Sequence, residues 1–344
     1  MCPIFSNQLK TYTKVKISNK FIVFYVIDPT LFMSALLYSA EISVLSIGFS
    51  LTYLTAKIPN FAHGTYAGVG IYVSYTFSKI FGLSPYLGFP IAFIIGGTIG
   101  FILYITVISV LTKMGGGEVV KTIATIAIQI FLSALLYIYA YWLRGVYSTY
   151  VFAFLLKAYD FNIGTIPGIF LVSILFCIIT VIMLHFLLTR TKIGISMRAT
   201  SEDPSLASIV GINTNHTQQF SWFLTGGLAS VAGAMLPLWF QCSPDTGSLI
   251  FTSVMAGSLL GGLANIYGAI IGGFGVGMTE VLLTNWLQNQ YIGTEKLIWI
   301  GEYRPIVPLI ILIMVLLIEP EGLSGFIQRI KKSRFKVNIF REKN

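Results

Sequence analysis

Two glutamates stand inside otherwise apolar runs, Glu41 within 31–56 and Glu280 within 267–286. Ionisable side chains are costly in hydrocarbon and mark ion or solute routes by default. Together they could serve a proton or cation pathway. Each could equally be satisfied by a hydroxyl, an amide or a basic residue inside a bundle, or snorkel toward an interface. Gln129 and His185 invite the same two readings. A second constellation is Ile58-Pro59-Asn60-Phe61-Ala62-His63-Gly64. Pro59 bars helical continuation, Asn60 can cap a new helix, and Gly64 permits close backbone approach. It reads either as a turn between two spans or as a broken helix within a bundle. Asn60, Phe61, His63 and Gly64 are pathway candidates on the second reading. With only His63, His185 and His216 in the chain and no carboxylate at ligand spacing, no metal site is expected.

A third feature is the polar stretch from Gly194 to Asn213, GISMRATSEDPSLASIVGIN. It cannot cross lipid, because its charges would each cost several kcal/mol there. Thr200 to Asp203 offer capping groups, and Pro204 suits a first helical position. Leu206, Ile209 and Val210 then fall at i, i+3 and i+4, an apolar stripe on a short helix that Gly211 can end. The expected product is a short amphipathic helix on the membrane surface, either packed on the bundle alone or gripped by a soluble partner.

Other chemistry lacks its pattern. Gly115 to Thr122, GGGEVVKT, fails as a phosphate loop because Val120 stands where glycine must precede the lysine. Gly-x-Ser-x-Gly and His-Glu-x-x-His are missing. The chain therefore reads as a non-enzyme that binds no cofactor. Any uphill transport would draw on a gradient or on a separate ATPase.

The elements that carry these residues are apolar spans. Hydrophobic residues make up 55% of the chain and charged residues 10%, against about 25% charged in soluble domains. Continuous rather than alternating runs exclude a β-barrel. The fold class is all-α, a polytopic helical membrane protein of about eight or nine spans. They are expected at 31–56, 62–80, 86–111, 122–142, 168–188, 219–240, 250–263, 267–286 and 304–318. The run 250–286 is too long for one crossing, and its middle, GGLANIYGA, holds the turn formers. That places a broken or re-entrant element there, with Gly261 and Gly262 as further pathway candidates. Gly64/Gly68, Gly96/Gly100, Gly268/Gly272 and Gly273/Gly277 have the spacing that lets helix backbones touch in lipid.

The net charge of +9 reads as topology bias rather than a nucleic-acid surface. Arg329, Lys331, Lys332, Arg334, Lys336, Arg341 and Lys343 place the C-terminus in the cytoplasm by the positive-inside rule, beside anionic lipid. Counting back puts 189–218 and 112–121 in the cytoplasm and 143–167 outside. The same count puts residues 1–30 outside despite Lys10, Lys14, Lys16 and Lys20, unless 21–30 hides a partial crossing. No cleavable signal peptide is expected. Three extents follow: an extension 1–30, a membrane domain 31–325 and a basic tail 326–344. Cys2, Cys177 and Cys242 form neither a metal pattern nor a disulfide framework.

The pattern Gly194-x3-Arg198-Ala199-x3-Asp203-x3-Ala207-x3-Gly211-Ile212 resembles the cytoplasmic loop of branched-chain amino acid ABC transporter permeases. Asn60 to Gly64, Gly257 to Gly262 with Gly268-Ala269-x-x-Gly272-Gly273, and Glu319-Pro320-Glu321-Gly322-Leu323 resemble the same family in the same order. The likeness covers about 31–325 and is closer to the family's shorter subunit. It implies a large-bundle importer permease in the cell membrane. Its implied partners are a second, similar permease in a heterodimer, two cytoplasmic ATPases that use ATP, and an extracytoplasmic solute-binding protein. Residues 194–213 would dock in the ATPase. Arg198, Glu202 and Asp203 would set the docking, and Leu206, Ile209 and Val210 would fill a groove. The chain departs from the family at Glu41, usually small or mildly polar, and at Lys57, often glycine. Relatives also carry urea or amides. A gradient-driven transporter using Glu41 and Glu280 is the competing reading.

Overall fold

The computed structural model describes residues 29–290, 304–319, 322, 323 and 325. The expectations for residues 1–28 and for the tail 326–344 lie outside them. The chain is an all-α membrane protein. Its helices are α1 (Pro29–Ala56), α2 (His63–Tyr75), α3 (Gly88–Leu103), α4 (Ser109–Lys113), α5 (Glu118–Tyr147), α6 (Gly168–Arg190), α7 (Lys192–Glu202), α8 (Pro204–Ile209), α9 (Thr214–Met235), α10 (Thr246–Gly261), α11 (Ile266–Gln290) and α12 (Ile306–Ile318). A π turn at Thr76–Ile80 extends α2, and another at Tyr104–Ile108 joins α3 to α4. Among the described residues, six helices are long and apolar enough to cross a membrane; α10 and α12 are shorter apolar helices. A two-residue antiparallel pair, β1 (Asn162–Ile163) and β2 (Ile166–Pro167), closes the segment before α6.

The central helix is α1, which packs against α11, α9, α10 and α6. It and α9 are buried along most of their length, whereas α5 and α6 leave most of theirs exposed. The buried face of α1 is lined with hydroxyls, which a helix interior tolerates when each bonds a carbonyl a turn back. Ser39 and Ser43 do so at 2.6 and 2.7 Å. Others reach across: Thr52 to Thr225 at 3.0 Å, Thr55 to Ser221 at 2.9 Å, and Ser258 to the Ser46 carbonyl at 3.0 Å. In lipid no hydrophobic force joins helices, so close backbone contact and such bonds hold the bundle.

All four glycine pairs lie at crossings. A Cβ on Gly277 would stand 2.7 Å from Ser39 Cα, and one on Gly273 would stand 2.9 Å from Ser43 Cα. Gly268 and Gly272 meet Gly261 and Gly257 of α10; Gly96 and Gly100 meet Gly226 and Trp222 of α9; Gly64 and Gly68 meet Gly247 and Leu136. The glycine-rich stretch 261–269 is a tight turn: Gly262 has φ +98°, and Asn265 Oδ1 accepts the amides of Tyr267 and Gly268 at 3.1 Å each. The irregular backbone lies one step earlier, at 239–245, where Cys242 pairs with Phe154. As a result α10 has 16 residues, short of the roughly 20 that a full crossing needs.

Lys57 ends α1 in the left-handed region, with φ +57°, and its amide still bonds the Tyr53 carbonyl at 2.8 Å. A side chain there costs about 1 kcal/mol over glycine. Lys57→Gly is expected to stabilise the protein by about 1 kcal/mol, read as a raised Tm in detergent.

Candidate functional site

The polar stretch forms two helices. Thr191 caps α7 by accepting the Gly194 amide at 3.1 Å. A Cβ on Gly194 would stand 2.0 Å from the Leu187 carbonyl oxygen, so glycine is needed where the chain turns out of α6. Gly194, Met197 and Ser201 face inward, while Arg198 and Glu202 point to solvent and Ala199 is half-buried. Asp203 then caps α8, accepting the amides of Ser205 at 2.8 Å and Leu206 at 3.0 Å, with Pro204 in the first turn. Ala207 is buried, and Gly211 ends the helix with φ +89° before the half-buried Ile212. Leu206, Ile209 and Val210 are 59%, 80% and 73% exposed. The stripe faces away from the bundle. Burying it would release about 1.5–3 kcal/mol per side chain.

At the 57–62 break Ile58, Asn60 and Ala62 are buried, and Lys57, Pro59 and Phe61 are half-buried. Asn60 Oδ1 accepts the Ala62 amide at 3.1 Å, and the Phe61 amide donates to Thr125 of α5 at 3.3 Å. His63 Nε2 lies 3.0 Å from the Leu45 carbonyl. A carbonyl can only accept, so Nε2 carries the proton and Nδ1 is left as an acceptor. The ring fills the space over Gly48, where a Cβ would meet it at 2.9 Å, and Gly64 lies against the Gly247 carbonyl. His63 and Gly64 therefore lock α2 to α1 and α10. His185 bonds Tyr267 at 2.6 Å, tying α6 to α11.

The two embedded glutamates differ. Glu280 accepts three donors: Tyr38 at 2.9 Å, Ser253 at 2.7 Å and Arg304 Nε at 2.7 Å. The Arg304 contact is the one ion pair among the described residues. Glu41 is 2% exposed, and neither of its oxygens has a partner there. Gly261 and Gly262 belong to the tight turn, against Gly268.

Sequence reasoning passed over a polar seam between α5 and α10. Thr122, Gln129, Ser133 and Tyr137 share one face of α5, and all are half-buried. Ser133 lies 3.3 Å from Ser248 of α10, and the Tyr137 hydroxyl donates to Asp245 at the α10 cap. Thr252 and Met255 continue the α10 side, also half-buried. The seam runs into a cleft of about 430 Å³ bordered by Tyr53, Lys57, Pro59, Thr122, Met255 and Leu259. The findable signal was the recurrence of polar residues every three to four positions along an apolar span.

A family model, branched-chain amino acid transport system / permease component, matches residues 31–316. The protein named "Probable branched-chain amino acid transport permease protein LivH", from Methanocaldococcus jannaschii, is 40% identical over 291 residues, 85% of this chain and 90% of that one. The "High-affinity branched-chain amino acid transport system permease protein BraD" of Pseudomonas aeruginosa is 24% identical over 308 residues, 85% of this chain and 94% of its own. The solved structure of PsaBC from Streptococcus pneumoniae in complex with Fab matches with a TM-score of 0.52 at 13% identity, covering 85% of this chain and 92% of that chain. That likeness is one of fold.

Proposed function

The chain belongs to the branched-chain amino acid transport system permease family, and from that premise we propose that it is the membrane-spanning permease subunit of an ATP-driven ABC importer for branched-chain amino acids or similar small polar solutes. The observation that carries the reading is the solvent-facing stripe of Leu206, Ile209 and Val210 on a helix fixed by the Asp203 cap. Three apolar side chains held out on a rigid, polar-flanked element suit insertion into a groove of a soluble protein.

In this reading α7 and α8 lie in the cytoplasm, as does the C-terminus. One of two ATPases holds α8, and Arg198 and Glu202 set its register. A second, homologous permease lies alongside in a heterodimer, and a solute-binding protein delivers cargo from outside. Closure of the ATPases on ATP moves the α7–α8 unit. The tight α6–α7 turn at Gly194 passes that movement to the bundle. Each state must make different contacts for ATP to shift the balance between them. The α5–α10 seam is the solute-facing wall, and the 430 Å³ cleft is its cytoplasmic mouth. Glu280 is held by three donors, which suits a structural anchor better than a shuttling carrier.

The test is reconstitution in proteoliposomes with the second permease, the ATPases and the binding protein. Leucine uptake is expected to require ATP and all partners. Ser133→Trp, placed in the seam, is expected to cut uptake at least tenfold while the complex still assembles. Uptake driven by an ion gradient without ATPase would overturn the assignment.

A further inference from the structure

Beside the seam, on another face of α10, lies a polar cluster that is incomplete as built. Ser253 turns from the Ser248–Met255 line to bond Glu280, and Tyr38 and Arg304 Nε complete that carboxylate. Arg304 is thereby fixed, its guanidinium 4.0 Å from the Tyr38 ring centre and 5.6 Å from that of Phe240. Its Nη2 has no hydrogen-bond partner among the described residues. Glu41 follows Tyr38 by three residues on α1, so the two share a face. It is 2% exposed, and among the described residues neither carboxylate oxygen has a hydrogen-bond partner. Arg304, stacked on the Tyr38 ring, thus lies beside the face of α1 that carries Glu41. Nearby α1 hydroxyls are already committed: Ser39 and Ser43 bond carbonyls of their own helix.

A buried carboxylate and a buried N–H without partners each carry a desolvation cost. A direct pair would relieve both, yet the guanidinium is aimed at Glu280. The cluster thus presents an unfilled acceptor on one side and an unfilled charged donor on the other. A ligand that satisfies both carries a cation and an anion on one small frame. An amine would leave Nη2 unpaired, and a carboxylic acid would leave Glu41 unpaired.

We propose that Glu41 and Arg304 form a binding site for the zwitterionic head of an α-amino acid, with its ammonium on Glu41 and its carboxylate on Arg304 Nη2. The site is distinct from the α5–α10 seam and lies among α1, α10, α11 and the start of α12. The inference rests on the amino-acid reading of the function above.

The test is equilibrium binding of tritiated leucine to the purified permease–ATPase complex with no binding protein present. Leucinamide (ammonium only) and 4-methylpentanoate (carboxylate only) serve as competitors. Leucine is expected to bind, and each analogue to compete at least tenfold more weakly. Glu41→Gln is expected to weaken leucine at least tenfold and to bring leucine and 4-methylpentanoate to similar strength. The analogue series on the unmutated protein stands even if a variant fails to fold. No leucine binding, unchanged affinity in Glu41→Gln, or competition by either analogue as strong as that by leucine itself would overturn the site; a bridging water alone would give the first of these. ATP-driven leucine uptake by the same complex, reconstituted in proteoliposomes with the second permease and the binding protein, separates the two failures. Uptake without binding at this cluster refutes the site and leaves the importer assignment standing, whereas no amino-acid uptake refutes both.

Discussion

Ile209→Asp is expected to abolish ATP-driven uptake while leaving the protein inserted and its thermal stability unchanged. Ile209 is 80% exposed, so its removal takes no packing from the bundle. A central apolar anchor of a docking surface is worth about 2 kcal/mol or more, about 30-fold in affinity. Aspartate adds the cost of burying a charge in a groove made for a methyl-rich side chain. Arg198→Glu is expected to act in the same direction through register rather than fit, since its guanidinium points to solvent and makes no ion pair among the described residues. Asp203→Lys should also abolish uptake, by a separate route. It removes the oxygen that accepts the Ser205 and Leu206 amides, about 1 kcal/mol of capping, and so loosens α8 itself. Asp203→Asn keeps a capping oxygen and should retain most activity. The measurement is co-purification of the ATPase together with uptake. Normal co-purification and uptake in Ile209→Asp would place the docking surface elsewhere.

That prediction rests on a feature readable from residue types, and the reason is local. Asp203, Pro204 and the Leu206–Ile209–Val210 spacing specify a cap, a first turn and a stripe within eight residues, and the structure has all three. The spans were legible for a similar reason: lipid demands long apolar runs, and lengths set by that demand survive whatever the helices pack against. The turn at 261–266 could be placed because Gly262 and Asn265 do their work within one turn. Helix α7 was not legible. Its inward face is Gly194, Met197 and Ser201, which give no apolar stripe, and its polarity suggested a loop. The contrast between Glu41 and Glu280 was also hidden. Both are single acids in apolar runs, and what separates them is Tyr38, 242 residues before Glu280, and Arg304, 24 after it. Lys57 shows the converse: the sequence singled the residue out, but only its positive φ shows that glycine would sit there at less cost. The α5–α10 seam needed two helices to meet before its scattered hydroxyls formed a line.

Gly70→Leu is expected to be the most damaging single change to the fold. A Cβ at Gly70 would lie 1.7 Å from the Ser230 carbonyl oxygen and 2.9 Å from the Ala234 nitrogen, both backbone atoms of α9. No rotamer relieves a clash between a Cβ and a main chain, so α2 and α9 must separate. From the other side a Cβ on Gly233 would stand 2.0 Å from the Ala67 carbonyl oxygen, so the crossing is tight on both helices. Separation also strains the bond from Ser74 to the Ala234 carbonyl, 2.7 Å long. Overpacking of this kind costs about 3 kcal/mol or more, and bonds freed in lipid have no water to replace them. The expected readout is loss of the monodisperse peak in detergent and a fall in Tm of several degrees or more for whatever folds. Gly145→Ala is the matched control. Gly145 lies within α5 with nothing within 4 Å of its would-be Cβ, and alanine there should stabilise the helix by up to about 1 kcal/mol. If Gly70→Leu were as stable as that control, α2 and α9 would not touch as the bundle requires, and the packing that positions the 57–62 break and α10 would have to be redrawn.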